Sequence, residues 1–389
     1  MVDAIRYGDA RATTGPKTQG RLYAGLRNVV RAGLKNRPTI KSHLVQAETS
    51  LGLLQNTAAQ LNPKFIRANP RRLTIAVTAH CNLRCVGCRY GRDFMPGHQL
   101  PFDKVKELLS DAKEAGVELV RLYGGEPLLH PSLPDMVRYA IGLGLSVYVT
   151  TNGILLKQKI DRLFDAGLRN ITVGYYGSGE AYNRYVQRNN DMYRHLDEGI
   201  ATVRQRYGDK ISLQLNYLIM RPTCNLEALH SAWKFAQRYD MTIHTDLIHY
   251  SLPYFSEGPD QELQFGETDR PAIEKLVAEL IRLKQSHPTR IKDNLRSIRS
   301  IPDWLLKKSK MRVPCDANRL LWVGADGTVQ LCYVTFRLGN LFEKRLRDML
   351  FTDAHQKAAQ DAFSLNCPNC HCERDSRIQK HIQSMYRYR

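Results

Sequence analysis

Between about residue 73 and about residue 247 the chain alternates short β-branched or apolar runs with longer amphipathic stretches. No other feature constrains the fold as much, because each run and stretch together make a βα unit. Expected strands are Leu73 to Thr78, Leu119 to Tyr123, Ser146 to Thr151, Asn170 to Tyr176, Ser212 to Met220 and Met241 to Ile248. Helical segments begin near Pro101, Ser132, Leu155, Glu180 and Asn225, each long enough to cross back over a sheet. Parallel strands with right-handed crossovers follow. Six such units predict an α/β chain built on a partial (β/α)6 TIM-like barrel, with its chemistry in the loops at the strand C-termini. A flat doubly wound sheet shares the same periodicity.

With 389 residues the chain is long enough for about two domains. Residues 1–70 are expected to be a basic helical segment, 71–250 the barrel core, 251–314 a helical connector, 315–375 a small β-hairpin/helix domain and 376–389 a basic tail. The connector is punctuated by Pro253, Gly258, Pro271, Pro288 and Pro302. In the C-terminal unit Leu320 to Val323 and Thr328 to Val334 flank Gly324-Ala325-Asp326-Gly327, a hairpin signal, and a helix is expected from about Leu341. Hydrophobic residues at 43% and charged residues at 24% exclude a collagen-like or wholly disordered chain.

The formal charge of +19 is concentrated at the start, where residues 1 to 72 hold 13 Lys/Arg against only Asp3, Asp9 and Glu48. Leu22, Leu26, Val29, Val30 and Leu34 share one helical face and Arg27, Arg31 and Lys35 another. Such a helix suits docking on the barrel, or contact with a membrane surface or another anionic partner. No secretory apolar run follows Met1, and the uncharged stretch Tyr139 to Leu156 is broken by Gly142, Gly144 and Thr150-Thr151-Asn152-Gly153, so a cytoplasmic protein is expected.

Nine cysteines in a reducing compartment point to metal or redox chemistry rather than disulfides. Cys81, Cys85 and Cys88 lie directly after the first strand. Three thiolates fall one short of the four ligands of a closed zinc site or a fully ligated cluster. Either one metal position stays open to a cofactor or substrate, or a side chain such as His80 or His98 closes it. Cys315 and Cys332 sit at the ends of the hairpin, and Cys367, Cys370 and Cys372 follow; alone, these suit a zinc ribbon as well as an iron–sulfur site.

CxxxCxxC after the first strand, with Gly124-Gly125-Glu126-Pro127 at the end of the second, resembles the signature of radical S-adenosylmethionine (SAM) enzymes. The resemblance implies that Cys81, Cys85 and Cys88 hold three irons of a [4Fe–4S] cluster whose fourth iron chelates SAM. An electron from a low-potential donor such as flavodoxin or ferredoxin then breaks SAM to a 5′-deoxyadenosyl radical, which abstracts a substrate hydrogen atom. It further implies that Gly124, Gly125, Glu126 and Pro127 lie at the SAM amino group, and that Thr151, Asn152 and Asn216 line its ribose and carboxylate, with Arg188 a carboxylate partner. Gly87 stands where this family usually has an aromatic residue packing near adenine, and Tyr90 is the substitute. Val173-Gly174-Tyr175-Tyr176-Gly177 replaces the Asp-Gly pair of many peptide-modifying relatives, so Tyr175 and Tyr176 either face substrate or pack.

The C-terminal cysteines, with Gly339-Asn340-Leu341 after the hairpin, resemble the SPASM/Twitch extension of the same enzymes, which binds auxiliary [4Fe–4S] clusters. Five cysteines instead of about seven imply one auxiliary cluster, held by Cys315, Cys332, Cys367 and Cys370, with Cys372 the rival to Cys370. Cys224, after the fifth strand, is either a hydrogen-atom donor to a substrate radical or a small buried hydrophobe. The resemblance implies a radical SAM oxidoreductase or isomerase that oxidises or epimerises a small-molecule or sugar-containing precursor. A ribosomal-peptide maturase is the alternative, and a zinc protein binding nucleic acid the remote one, since it gives no role to an open three-thiolate site beside GGEP.

Overall fold

The computed structural model describes residues 5–6, 38–90, 95–188, 191–251, 262–332 and 335–389. The basic amphipathic helix expected around residues 22 to 35 lies outside them. A 24-residue helix, Pro38–Leu61, leads into the barrel.

One ten-stranded sheet organises the molecule. Its strands are β1 (Ile5–Arg6), β2 (Arg72–Thr78), β3 (Leu119–Gly124), β4 (Ser146–Thr151), β5 (Asn170–Tyr175), β6 (Ser212–Ile219), β7 (Thr242–Leu247), β8 (Leu320–Val323), β9 (Thr328–Gln330) and β10 (Phe336–Asn340), in the order β1-β10-β9-β8-β2-β3-β4-β5-β6-β7. From β2 to β7 every neighbour is parallel and the spatial order follows the chain. A doubly wound sheet would reverse its strand order at a switch point. The unbroken order gives instead an open, partial TIM-like barrel that does not close.

Each crossover buries one face. The helices Phe102–Glu114, Leu133–Gly142, Leu156–Asp165 and Leu226–Arg238 start within a residue of the expected positions. The β5–β6 crossover differs from expectation: it holds two helices, Gly179–Val186 and Met192–Tyr207. Side chains alternate along the strands as the two-residue period requires. Val120, Leu122, Val147, Val149, Ile171, Val173, Leu213, Leu215 and Ile243 are buried against the helices. The opposite face, the barrel lumen, is polar and half-buried: Arg121, Tyr148, Thr150, Thr172, Gln214, Asn216, His244 and Asp246. The registers Thr172–Gln214, Asn216–His244 and Arg121–Tyr148 place these residues side by side.

The C-terminal unit is not a separate bead on the chain. β8 pairs in parallel with β2, matching Arg72 to Leu320 and Ile75 to Val323, so the expected hairpin extends the barrel sheet. β10, which follows the hairpin, was not expected; its Gly339 and Asn340 pair with β9. The buried carboxylate of Asp111 receives both Arg345 Nη2–H at 2.6 Å and the Arg347 N–H at 3.2 Å, fastening the chain after β10 to the first crossover helix. Residues 376–389, expected as a basic tail, fall in the helices Arg374–Gln379 and Ile382–Arg387, and Tyr388 Oη donates to Asp303 at 2.6 Å. Buried Tyr388 anchors this end against the connector helix Ile301–Lys307.

Candidate active site

Two groups of cysteines lie beside the sheet. Cys81, Cys85 and Cys88 occupy the loop leaving β2, with Cys81 exposed and the other two half-buried. Cys315, Cys332, Cys367, Cys370 and Cys372 all line one cavity next to the hairpin.

The β3 turn fixes the first loop. Gly124 and Gly125 are required by close approach: a Cβ at Gly125 would stand 2.4 Å from His80 O and 2.5 Å from Ala79 O, and one at Gly124, whose φ is +143°, 2.2 Å from Thr78 O. The Gly125 N–H donates to Thr78 O and the Glu126 N–H to His80 O, each at 2.8 Å. Pro127 follows buried, opening a short turn.

Glu126 has no exposed surface. Its carboxylate accepts from Thr151 Oγ1 at 2.7 Å, the Asn152 N–H at 2.8 Å and the Leu128 N–H at 2.9 Å. Burial pushes this carboxyl up to about 7 despite the three donors. Thr151 is buried and its hydroxyl is turned to Glu126, so the pair locks the β3 turn to the β4 turn. Asn152 and Arg188 meet at a residue that sequence reasoning missed. Asn152 Nδ2 donates to Asn82 Oδ1 and Arg188 Nε to Asn82 O, both at 2.8 Å. Asn82, directly after Cys81, is therefore the hub of the loop. Asn216 stands apart on β6, where its Nδ2 donates to Asp246 Oδ2 at 3.1 Å.

Tyr90 is 3% exposed and packs with Ala76, Ala79, Met95, Trp322 and Ala325. It joins the first cysteine loop to the C-terminal hairpin. Tyr175 and Tyr176 are packing residues: Tyr175 is buried with Tyr193 and Phe235, and Tyr176 lies against the rings of Tyr182 and Tyr185. Cys224 is 5% exposed in the main core beside Tyr217, and burial pushes its thiol up to about 12. Of the two readings of Cys224, this place in the core is the one a small buried hydrophobe takes.

Around the second cysteine group, Arg377 is 1% exposed. Its guanidinium donates to Val313 O and Cys370 O at 2.5 Å, Asn369 Oδ1 at 3.2 Å, Pro314 O at 3.3 Å and Cys372 O at 3.4 Å, and stacks over Trp304. All these acceptors are neutral. A buried cation without a carboxylate needs an anion nearby, and a thiolate-bound cluster in the cavity it lines provides one. An N–H···S bond recurs in both groups, from Leu83 N to Cys81 Sγ and from Asn369 N to Cys367 Sγ, each at 3.4 Å. Such bonds suit anionic sulfur at an iron–sulfur centre. Both donor sets thus fit iron–sulfur clusters.

Facing the lumen from β7, His244 Nδ1 lies 3.3 Å from Asp293 Oδ1. Asp293 is buried, receives the Thr245 N–H at 2.8 Å and pairs with the buried Arg374 at 2.8 Å. Burial works against charge on His244, but Asp293 lifts it above the ordinary histidine range. No sequence signal marked this group, because its members lie on β7, the connector and the last turns of the chain.

An open parallel barrel with a three-cysteine loop at its first strand, and a five-cysteine cavity at an added hairpin, defines a class of iron–sulfur enzyme. A family model described as the radical SAM superfamily matches residues 75–222, and one described as the SPASM iron–sulfur cluster-binding domain matches residues 315–373. The chain belongs to the radical SAM superfamily and carries a C-terminal SPASM domain; its cofactors are SAM, the [4Fe–4S] cluster of the radical SAM domain and auxiliary iron–sulfur. It is 32% identical over 174 residues to the GTP 3′,8-cyclase of Chlorobaculum tepidum, covering 43% of this chain and 51% of that protein. The match thus spans about half the length of that curated relative. Among solved structures it resembles anSMEcpe with bound AdoMet and Kp18Cys peptide, with a TM-score of 0.59 and 16% identity over 79% of this chain and 88% of that one. SuiB of Streptococcus suis bound to the precursor peptide SuiA gives a TM-score of 0.58 at 14% identity, over 78% and 69%. At these identities the likeness concerns the fold. Among the described residues no helix is long and apolar enough to cross a membrane.

Proposed function

We propose that this radical SAM enzyme removes a hydrogen atom from a C–H bond of a polar, hydroxylated substrate, a small molecule or sugar-bearing precursor, and that oxidation or epimerisation follows. The observation that carries the substrate class is the lumen face, where Arg121, Thr172, Gln214, Asn216, His244 and Asp246 present hydrogen-bonding groups in place of an apolar lining. Cys81, Cys85 and Cys88 hold the SAM-binding cluster, and Cys315, Cys332, Cys367 and Cys370 the auxiliary one, with Cys372 the rival to Cys370. SAM at its cluster supplies a 5′-deoxyadenosyl radical when a low-potential donor such as flavodoxin or ferredoxin delivers an electron.

The chain's own residues position and shield. The N–H groups of Gly125 and Glu126 are bonded to the cysteine loop, so the turn offers a ligand ammonium its carbonyl oxygens. Asn82, Asn152 and Arg188 hold the loop at its lumen end, Arg188 with charge left to meet a carboxylate. His244, oriented by Asp293, holds a proton at Nε2 and can donate a hydrogen bond to a substrate oxygen. Buried Tyr90 and Trp322 close the side between the loop and the hairpin.

A peptide substrate is the second reading, favoured by the peptides held in the anSMEcpe and SuiB structures. Anaerobic reduction of iron-replete protein with SAM is expected to yield 5′-deoxyadenosine; none would refute the class of chemistry. Deuterium passing into 5′-deoxyadenosine from a labelled polyol or sugar substrate, and not from labelled peptides, decides between the two readings.

A further inference from the structure

His371 lies between Cys370 and Cys372, and its side chain does a different job from theirs. The two cysteines line the C-terminal cavity. The imidazole, 4% exposed, lies beside the end of β7. One ring nitrogen is bonded to the backbone of Leu247, while Nε2 has no hydrogen-bond partner. The bonded nitrogen is therefore Nδ1, and an Nδ1–H donating to a carbonyl leaves a lone pair on Nε2. That lone pair faces Asp246 Oδ1 at 4.0 Å. His371 is enclosed while Asp246, whose Oδ1 also accepts the Leu247 N–H at 2.9 Å, opens to the lumen, so a cation entering from the lumen would relieve the facing of these two acceptors.

A third donor completes the group. His249, two residues beyond β7, lies ring against ring with His371, centroids 4.1 Å apart. One ligand atom each from Asp246, His249 and His371 all fall within 4.8 Å of one another. Donors around a tetrahedral ion with bonds near 2.1 Å are about 3.4 Å apart, so closing the site takes side-chain movements of about 1 Å. The second shell is in place: His371 is oriented through the backbone of Leu247, and Asp246 Oδ2 accepts from Asn216 Nδ2 at 3.1 Å.

We propose that Asp246, His249 and His371 bind one divalent transition-metal ion of the zinc or iron(II) class, with its remaining positions open to an oxygen-bearing substrate in the lumen. Two imidazoles and one carboxylate suit such borderline ions and leave coordination sites unfilled. The inference rests on the geometry of these three side chains and is independent of the substrate class proposed above. It makes the CHC tripeptide a two-sided strip, sulfur toward the auxiliary cavity and imidazole toward the lumen.

The test uses holoenzyme with both iron–sulfur sites reconstituted, equilibrated with Zn2+ alone and freed of unbound metal. One zinc per chain is expected beyond the iron, falling at least tenfold in Asp246→Asn and in His249→Ala while the iron count is unchanged. Zinc absent from the wild type, or equally retained by both variants, overturns the proposal. X-ray absorption at the zinc edge of the wild type needs no variant to fold: a shell of nitrogen and oxygen with imidazole scattering supports the site, and sulfur neighbours overturn it.

Discussion

The two cysteine groups are held in opposite ways. Cys81, Cys85 and Cys88 sit on a loop whose shape comes from backbone: glycines that let β3 touch it, N–H donors from Gly125 and Glu126, and the Asn82 hub. Its first cysteine remains exposed. The five C-terminal cysteines surround a cavity whose wall contains a buried guanidinium tied to five neutral acceptors. An exchangeable cofactor such as SAM requires access, and backbone contacts define a loop without filling the space above it. A fully ligated cluster requires enclosure and charge compensation, which a side chain supplies.

The sharpest break in this comparison is Gly125→Ala. Its Cβ meets backbone oxygens on two residues, and neither can swing aside as a side chain would. Displacing the cysteine loop by about 1 Å should cost on the order of 10²-fold in SAM cleavage. Iron should fall toward about four per chain, the auxiliary cluster being untouched. Retention of full 5′-deoxyadenosine formation would mean that the glycine contact does not shape the site.

The cavity of five thiols makes the complementary case. One [4Fe–4S] cluster takes four, so of Cys370→Ala and Cys372→Ala one should lose auxiliary iron and the other keep it; Cys370 is the expected ligand. Loss in both would indicate that the two thiols exchange or share the site. Arg377→Met keeps the stem packed on Trp304 and removes the charge. It should lower the auxiliary reduction potential and cost about 3–5 kcal/mol of stability, the range for breaking a buried charged network. Uncoupled SAM cleavage should persist. Equal damage at both iron sites, followed by electron paramagnetic resonance, would contradict separate support.

The difference also explains what the sequence could reveal. The six barrel strands were legible to within one residue or so because β-branched runs alternate with amphipathic ones, whereas the second hairpin strand, expected to reach Val334, ends at Gln330; CxxxCxxC with GGEP marked the first loop because its ligands and backbone contacts are local. β10 was not legible: Phe336–Asn340 is short, carries Arg337 and Gly339, and is a strand only because β9 is beside it. The bond from Thr151 to Glu126 was not legible, because motif spacing says where a residue lies and not which way its side chain turns. Arg377 read as one more charge in a basic tail, since its acceptors come from residues 313, 314, 369, 370 and 372, which only the fold assembles. The CHC tripeptide was visible, but its histidine acquires meaning only opposite Asp246, 125 positions earlier.

Acid separates the two regions by a smaller effect. His355 belongs to the helix Asp353–Phe363, whose Ala362 lines the five-cysteine cavity. The ring is fully buried, its Nδ1 accepts the Phe351 N–H at 3.0 Å, and burial holds it down at about 4. The folded protein therefore keeps this imidazole neutral while the unfolded chain protonates near 6.5. Its contribution is complete above that value and declines as pH falls toward about 4. At pH 5 the loss is about 2 kcal/mol, from 1.36 kcal/mol per pH unit. His355→Asn keeps an acceptor for Phe351 and cannot protonate, so the stability difference between pH 7 and pH 5 should shrink by about that amount. Hydrogen exchange should place the change in the helix Asp353–Phe363 and leave β2 to β5 alone; an unchanged pH dependence in His355→Asn would show that acid acts elsewhere.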